Sequence, residues 1–223
     1  MLVLLSLIMF LIMAAFFPFV FGELMLASLS KLHLSPSTAL TLVIAIFVGG
    51  LVNIPVKSVV NDRDVVSHPL AVYGPADLWP QLQRIRRETI IALNAGGCLI
   101  PVGLVVYEII QLATFNPPAL FAVAAGCVVN SLVCYFIARP VTGIGIVMPG
   151  VISPFIAASV ALLLAPDVAA PVAFAIGVIG PLVGADLMHL KDIEASEIGV
   201  VSIGGAGTFD GIILSDIVAA YLA

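Results

Sequence analysis

Apolar stretches of about 20 residues recur along the whole chain, separated by short polar or proline- and glycine-bearing links, and that spacing admits few folds. Roughly 20 helical residues cross a bilayer core, where every backbone N–H and C=O must be satisfied within the protein. Only 9% of the 223 residues are charged and 62% are hydrophobic, with a mean hydropathy of +1.25, outside the balance of a water-soluble domain. The chain therefore reads as an all-α polytopic transmembrane helix bundle, one integral membrane domain over residues 1–223, with the lipid bilayer as its first partner.

Seven spans are expected: Leu2 to Phe21, Pro36 to Val56, Ile90 to Leu112, Pro118 to Ala138, Val147 to Ala165, Ala169 to Leu190 and Ile203 to Leu222. The fifth is interrupted by Pro149 and Pro154. The first reads as a retained span, because it lacks the positive n-region and small-residue cleavage site of a signal peptide. With a cytoplasmic N-terminus, the inner loops carry Lys57, Arg63, Arg84, Arg86, Arg87, Arg139 and Lys191, and the outer loops only Lys31. That bias matches the positive-inside rule.

The one sizeable polar stretch is a cytoplasmic loop at about 57–89. Its first part mixes β-branched pairs with turn residues and suits a hairpin; its second, ADLWPQLQRIRRET, suits a short interfacial helix anchored by Trp79 and the arginines. Asp62, Asp64 and His68 read as solvated loop residues, and no metal or cofactor is expected. The net charge of −5 says little about partners, since several acids lie in or beside spans. With one short basic cluster, Gln83 to Arg87, which suits anionic headgroups, no nucleic acid is expected as a partner. Cys98, Cys127 and Cys134 fall within spans, without the spacing of a disulfide framework or zinc site.

The spans themselves are interrupted as simple anchors are not. Asn53 and Pro55 end the second, Asn94, Gly96, Gly97 and Pro101 break the third, and Asn130 lies within the fourth. Asp186 and Asp210 stand in glycine-rich apolar sequence on consecutive spans, and ionisable groups at such positions are costly and usually functional. Asn53, Asn94, Asp186 and Asp210 all fall in the cytoplasmic half, and His189 shares the face of Asp186. Asp216 is six residues beyond Asp210, about 240° around a helix, so Asp210 is taken as the central acid. Gly205 and Gly207 would let a substrate or backbone approach it, and Gly180 and Gly184 form a small-residue seam between the sixth and seventh helices. Glu23 and Glu108 are placed at the outer interface.

Two carboxylates at one depth on adjacent helices suit acid–base hydrolysis, in which one activates water and the other, protonated, polarises the scissile carbonyl. The chain resembles the Gly-x-Gly-Asp intramembrane aspartyl proteases in having one aspartate on each of two consecutive helices, the second within glycine-rich sequence, over about residues 180–216. The residue before Asp210 is Phe209, where that motif has glycine. This resemblance implies a catalytic Asp186–Asp210 dyad and a transmembrane peptide substrate.

Four phrases carry a longer resemblance: GGLVNIPVKS at Gly49 to Ser58, PVTGIGIVMPGVISP at Pro140 to Pro154, GADLMHLKDI at Gly184 to Ile193 and SIGGAGTFDGIILSDI at Ser202 to Ile217. They resemble the prokaryotic membrane proteins of domain-of-unknown-function family 1614, which implies a shared fold in a cytoplasmic membrane and supplies no activity. The competing reading is a proton- or sodium-coupled carrier or channel for a small solute. There Asp186 and Asp210 would hold the ion and Asn53, Asn94 and Asn130 the substrate, and so small a carrier is expected to work as a homo-oligomer. A third is a non-catalytic membrane assembly partner.

Overall fold

A computed structural model describes residues 2–62, 86–141, 145–195, 199–205 and 210–223. Most of the expected polar loop, with Arg63, Arg84, Asp64, His68 and Trp79, lies outside the described residues, as does Gly207.

Helices dominate. Helix α1 (Leu2–Leu29) is followed by α2 (Pro36–Gly49), which starts with Ser35 Oγ accepting from Thr38 N and proline at its first position. A π-helical segment (Ala95–Leu99) runs into α3 (Ile100–Phe115), followed by α4 (Ala119–Ile137) and α5 (Ile152–Leu164). A short 3-10 turn (Pro166–Val168) leads into α6 (Ala169–Ile179), which continues as a second π-helical segment (Gly180–Leu187). A six-residue α7 (Leu190–Ala195) and α8 (Gly211–Leu222) complete the set.

Among the described residues three helices are long and apolar enough to cross a membrane: Ala95–Phe115, Ala119–Ile137 and Pro166–Leu187. Four shorter apolar helices, Pro18–Leu29, Pro36–Gly49, Ile152–Leu164 and Gly211–Leu222, accompany them. The third long helix is 72% buried over its apolar window and the other two 33%, which makes α6 the axis of the bundle. Every residue from Ala169 to Val178 is buried, and α3, α4, α5 and α8 pack around it. Small side chains permit this: Ala173, Ala175 and Gly177 let neighbouring backbones close in. Apolar side chains such as Phe115, Phe121, Phe136 and Leu163 stay outward, as contact with lipid requires.

The chain is not all-α. Strand β1 (Asn53–Asp62) pairs antiparallel with β2 (Arg86–Asn94), from Asn53 opposite Asn94 to Asp62 opposite Arg86, with a register shift between Pro55 and Lys57. Strand β5 (Val200–Ile203) joins β2 in parallel, Ile90 opposite Val200. Between α4 and α5, β3 (Arg139–Val141) and β4 (Gly145–Val147) form a separate antiparallel pair. Hydropathy alone had extended spans through these segments; β-branched runs such as Thr89–Ile91 and Val200–Val201 pair instead as strands. The second expected span thus ends at Gly49 rather than Val56, the helix of the third expected span starts at Ala95 rather than Ile90, and the last helix starts at Gly211 rather than Ile203. Arg86 and Arg87, assigned to an interfacial helix, lie in β2.

The sheet closes on the bundle through glycines. A Cβ on Gly49 would stand 2.9 Å from Gly96 N, and one on Gly97 would collide with the Gly204 carbonyl. Gly204 has φ of +71°, a turn conformation that other residues rarely hold. At the other end of the bundle, the link after α1 meets α3 and the end of α8. There Lys31 Nζ donates to Tyr221 O at 2.7 Å and His33 Nδ1 contacts Glu108 Oε2 at 2.8 Å. Glu108, expected at the interface, is 0% exposed, because His33 also brings its backbone N to the carboxylate at 3.2 Å.

Candidate functional site

Pro181 carries no N–H and cannot continue the α-helical ladder of α6, and from Gly180 onward the helix widens into π geometry, with Met188 N donating to Val183 O. Such widened turns concentrate at functional positions. Asp186 sits in this segment, half-buried. The freed carbonyls of Gly184 and Ala185 face His189 Nδ1 at 3.2 and 3.0 Å. Carbonyls only accept, so Nδ1 carries the proton and His189 closes the π segment. Its ring, 8% exposed, lies 4.8 Å from that of Tyr135.

Asp210 does not lie within a helix. It precedes α8 in extended conformation, φ −68° and ψ 150°, and its Oδ1 accepts from Ile212 N at 3.0 Å. It is the N-cap, at the helix end where unpaired N–H groups favour an anion. The pair read as two intrahelical acids is one acid in a π-helical segment and one at a helix start.

These two aspartates, 24 residues apart in sequence, line one cavity of about 230 Å³. Its other walls are apolar: Ile146 and Met148 from β4 and the residue after it, Pro181 and Ala185 from the π segment, Ile212 from α8. Ile146, Val147 and Met148, from the phrase PVTGIGIVMPG, thus form one wall of the aspartate cavity.

The asparagines stand elsewhere. Asn94, fully buried, caps the first π segment by accepting from Gly97 N at 2.7 Å. Its amide donates to Gly50 O at 2.8 Å and to Asn53 Oδ1 at 2.9 Å, and Asn53 Oδ1 also accepts from Ser202 Oγ at 2.6 Å. This clasp ties β1, β2 and β5 to the end of α2. Asn130 donates to Ser153 Oγ at 2.9 Å and to Ile176 O at 3.1 Å, and Ser153 Oγ meets Ser215 Oγ at 2.6 Å. That network joins α4, α5, α6 and α8. Gly205 is exposed beside the Gly204 turn, where a Cβ would meet the Ser202 side chain at 2.6 Å.

Gly180 and Gly184 face α4 and not the last helix: a Cβ there would strike the Asn130 side chain and the Ser131 carbonyl. Gly177 instead admits α8, with Asp216 Cα 2.7 Å from its added Cβ. Asp216 itself is 1% exposed, away from the cavity lining. Ser153, Ser202 and Ser215 escaped sequence reading because single serines in apolar segments carry no spacing signal.

Comparison with curated proteins finds no match, and neither does comparison with solved structures. A family model does match, over residues 47–222, which include both aspartates, both strand pairs and every helix from α3 to α8. The chain belongs to the family described as Protein of unknown function (DUF1614).

Proposed function

We propose that this membrane protein is an intramembrane aspartyl protease-like hydrolase, with Asp186 and Asp210 as its acid–base pair and a transmembrane peptide as substrate. One observation carries the reading: the two carboxylates line a single small cavity whose remaining walls are apolar. Asp210, holding the Ile212 N–H, serves as the ionised base. It takes a proton from water, whose oxygen attacks the scissile carbonyl. Asp186 supplies the proton that the carbonyl oxygen takes up; as the C–N bond breaks, Asp210 passes its proton to the leaving nitrogen and the gem-diol returns one to Asp186, giving a carboxylic acid and an amine. The cavity's 230 Å³ accommodates a peptide group and a water, and lies below the roughly 300–1,000 Å³ of ordinary small-molecule sites. In this reading the seven apolar helical segments cross a prokaryotic cytoplasmic membrane in alternation, with the N-terminus and the cavity at the cytoplasmic side.

The test is cleavage of single-span peptides by the full chain in lipid. The parent should cleave, and Asp186→Asn and Asp210→Asn should each lower the rate by about 100- to 10,000-fold, the scale of a positioned acid or base. A folded parent that leaves every peptide intact sinks the reading.

A second reading rests on the two π-helical breaks, Ala95–Leu99 and Gly180–Leu187. Helices broken at membrane depth are how carriers expose backbone to an ion. Asp186 and Asp210 would then hold a coupling proton or sodium ion, and the same two variants in a proton-flux assay separate the readings.

A further inference from the structure

The cavity leaves Asp216 unused. This residue is 1% exposed, and its Oδ1 is buried with no hydrogen-bond partner among the described residues. It stands where α6 crosses α8 at Gly177, with little room for solvent between the two backbones. Adjacent polar groups are engaged with each other: Ser215 with Ser153, Ser153 with Asn130, and Ser28 Oγ donating to Ile217 O at 2.8 Å.

Among the described residues, the elements packed on α8 bring Asp216 no counter-charge, since Lys31 meets this helix at its C-terminal end, donating to Tyr221 O. Helices α5 and α6 carry no titratable side chain. The π segment after α6 brings Asp186, the one before α3 brings Cys98, and α1 brings Glu23, which is exposed. On α8 itself stand the capping Asp210 and the exposed Tyr221. An anion in this place has neither a cation nor a donor on Oδ1, the arrangement that apolar interiors do not sustain. A metal ion would relieve it only with several oxygens in its shell, and a single unpaired oxygen does not make one. A proton needs one oxygen.

We propose that Asp216 is a proton-binding site sealed in the bundle interior, separate from the Asp186–Asp210 cavity and holding its proton at neutral pH. One carboxylate oxygen takes up a proton from the aqueous side and becomes a hydroxyl, with no change in oxidation state. The site is independent of the protease reading, since it requires neither peptide nor cleavage.

Infrared spectroscopy of the full chain in lipid, with aspartate carboxyls isotope-labelled, tests this at neutral pH, where solvent-exposed carboxyls are ionised. The expected result is a labelled carboxylic-acid C=O band that shifts only slowly in heavy water, persists in the Asp186→Asn/Asp210→Asn double variant and vanishes in Asp216→Asn. A parent without such a band overturns the proposal. So does a band that the double variant loses and Asp216→Asn keeps. Should Asp216→Asn fail to fold, the parent and the double variant decide alone: a slowly exchanging acid band surviving in the double variant supports the site, and its loss there overturns it. Absence of peptide cleavage leaves the band, and the proposal, unaffected.

Discussion

Asp210 does two jobs with one carboxyl, capping α8 through Oδ1 and lining the cavity. The two separate experimentally, because asparagine caps a helix as well as aspartate while alanine does not. Asp210→Asn should keep the parent's thermal stability in detergent and lose cleavage, whereas Asp210→Ala should lose cleavage and about 1 kcal/mol of stability. Equal melting temperatures for all three proteins would show that the cap contributes nothing. Asn94 presents the opposite case: its buried amide and carbonyl serve Gly50, Asn53 and Gly97 rather than the cavity. Asn94→Ala should therefore cost about 1–3 kcal/mol by orphaning buried partners, measured as a fall in melting temperature, while a variant that stays folded keeps its affinity for substrate.

At the scale of elements, glycine decides where helices and strands touch. Added Cβ atoms on Gly97 and Gly184 meet backbone carbonyls, of Gly204 and Ser131, that no rotamer change can move. Gly97→Ala and Gly184→Ala should each destabilise by about 1–3 kcal/mol or more. Gly22 in α1 and Gly103 in α3 have nothing within 4 Å of the added atom. There alanine should leave stability unchanged or raise it by up to about 1 kcal/mol, through helix propensity. Thermal denaturation of the four variants gives this ordering, and an inverted order would contradict the close approaches. These contacts were only half legible in sequence. Gly180 and Gly184 announce a tight seam by spacing, yet spacing cannot say which helix fills it, and α4 does so through Asn130 and Ser131.

For the whole molecule, the proposed orientation places Lys31 outside and Lys191 inside. Both side chains are exposed, and the native cysteines are buried or half-buried. In a background with those three cysteines replaced, Lys31→Cys in intact cells should react with a membrane-impermeant thiol reagent and Lys191→Cys only after permeabilisation. The reverse pattern would invert the protein in the membrane and put the aspartate cavity on the outer side.

Composition and the recurrence of apolar runs determined that the chain is a mostly helical membrane protein, because transfer into lipid is a sum over local residues and needs no knowledge of neighbours. The same local logic singled out Asp186 and Asp210 as costly acids and set Asp216 on another face of its helix. Their division of labour was decided by tertiary structure: Asp186 and Asp210 meet at one cavity and Asp216 is closed off beneath Gly177. The strands were likewise beyond hydropathy, since a short apolar run reads the same as helix or strand until its partner is known. Thr89–Leu93 is strand because β1 and β5 flank it, and the helix that follows starts at Ala95 because Asn94 caps it. Pairing, cavities and the orphaning of a buried oxygen are properties of residues far apart in the chain, and only the folded backbone brings those residues together.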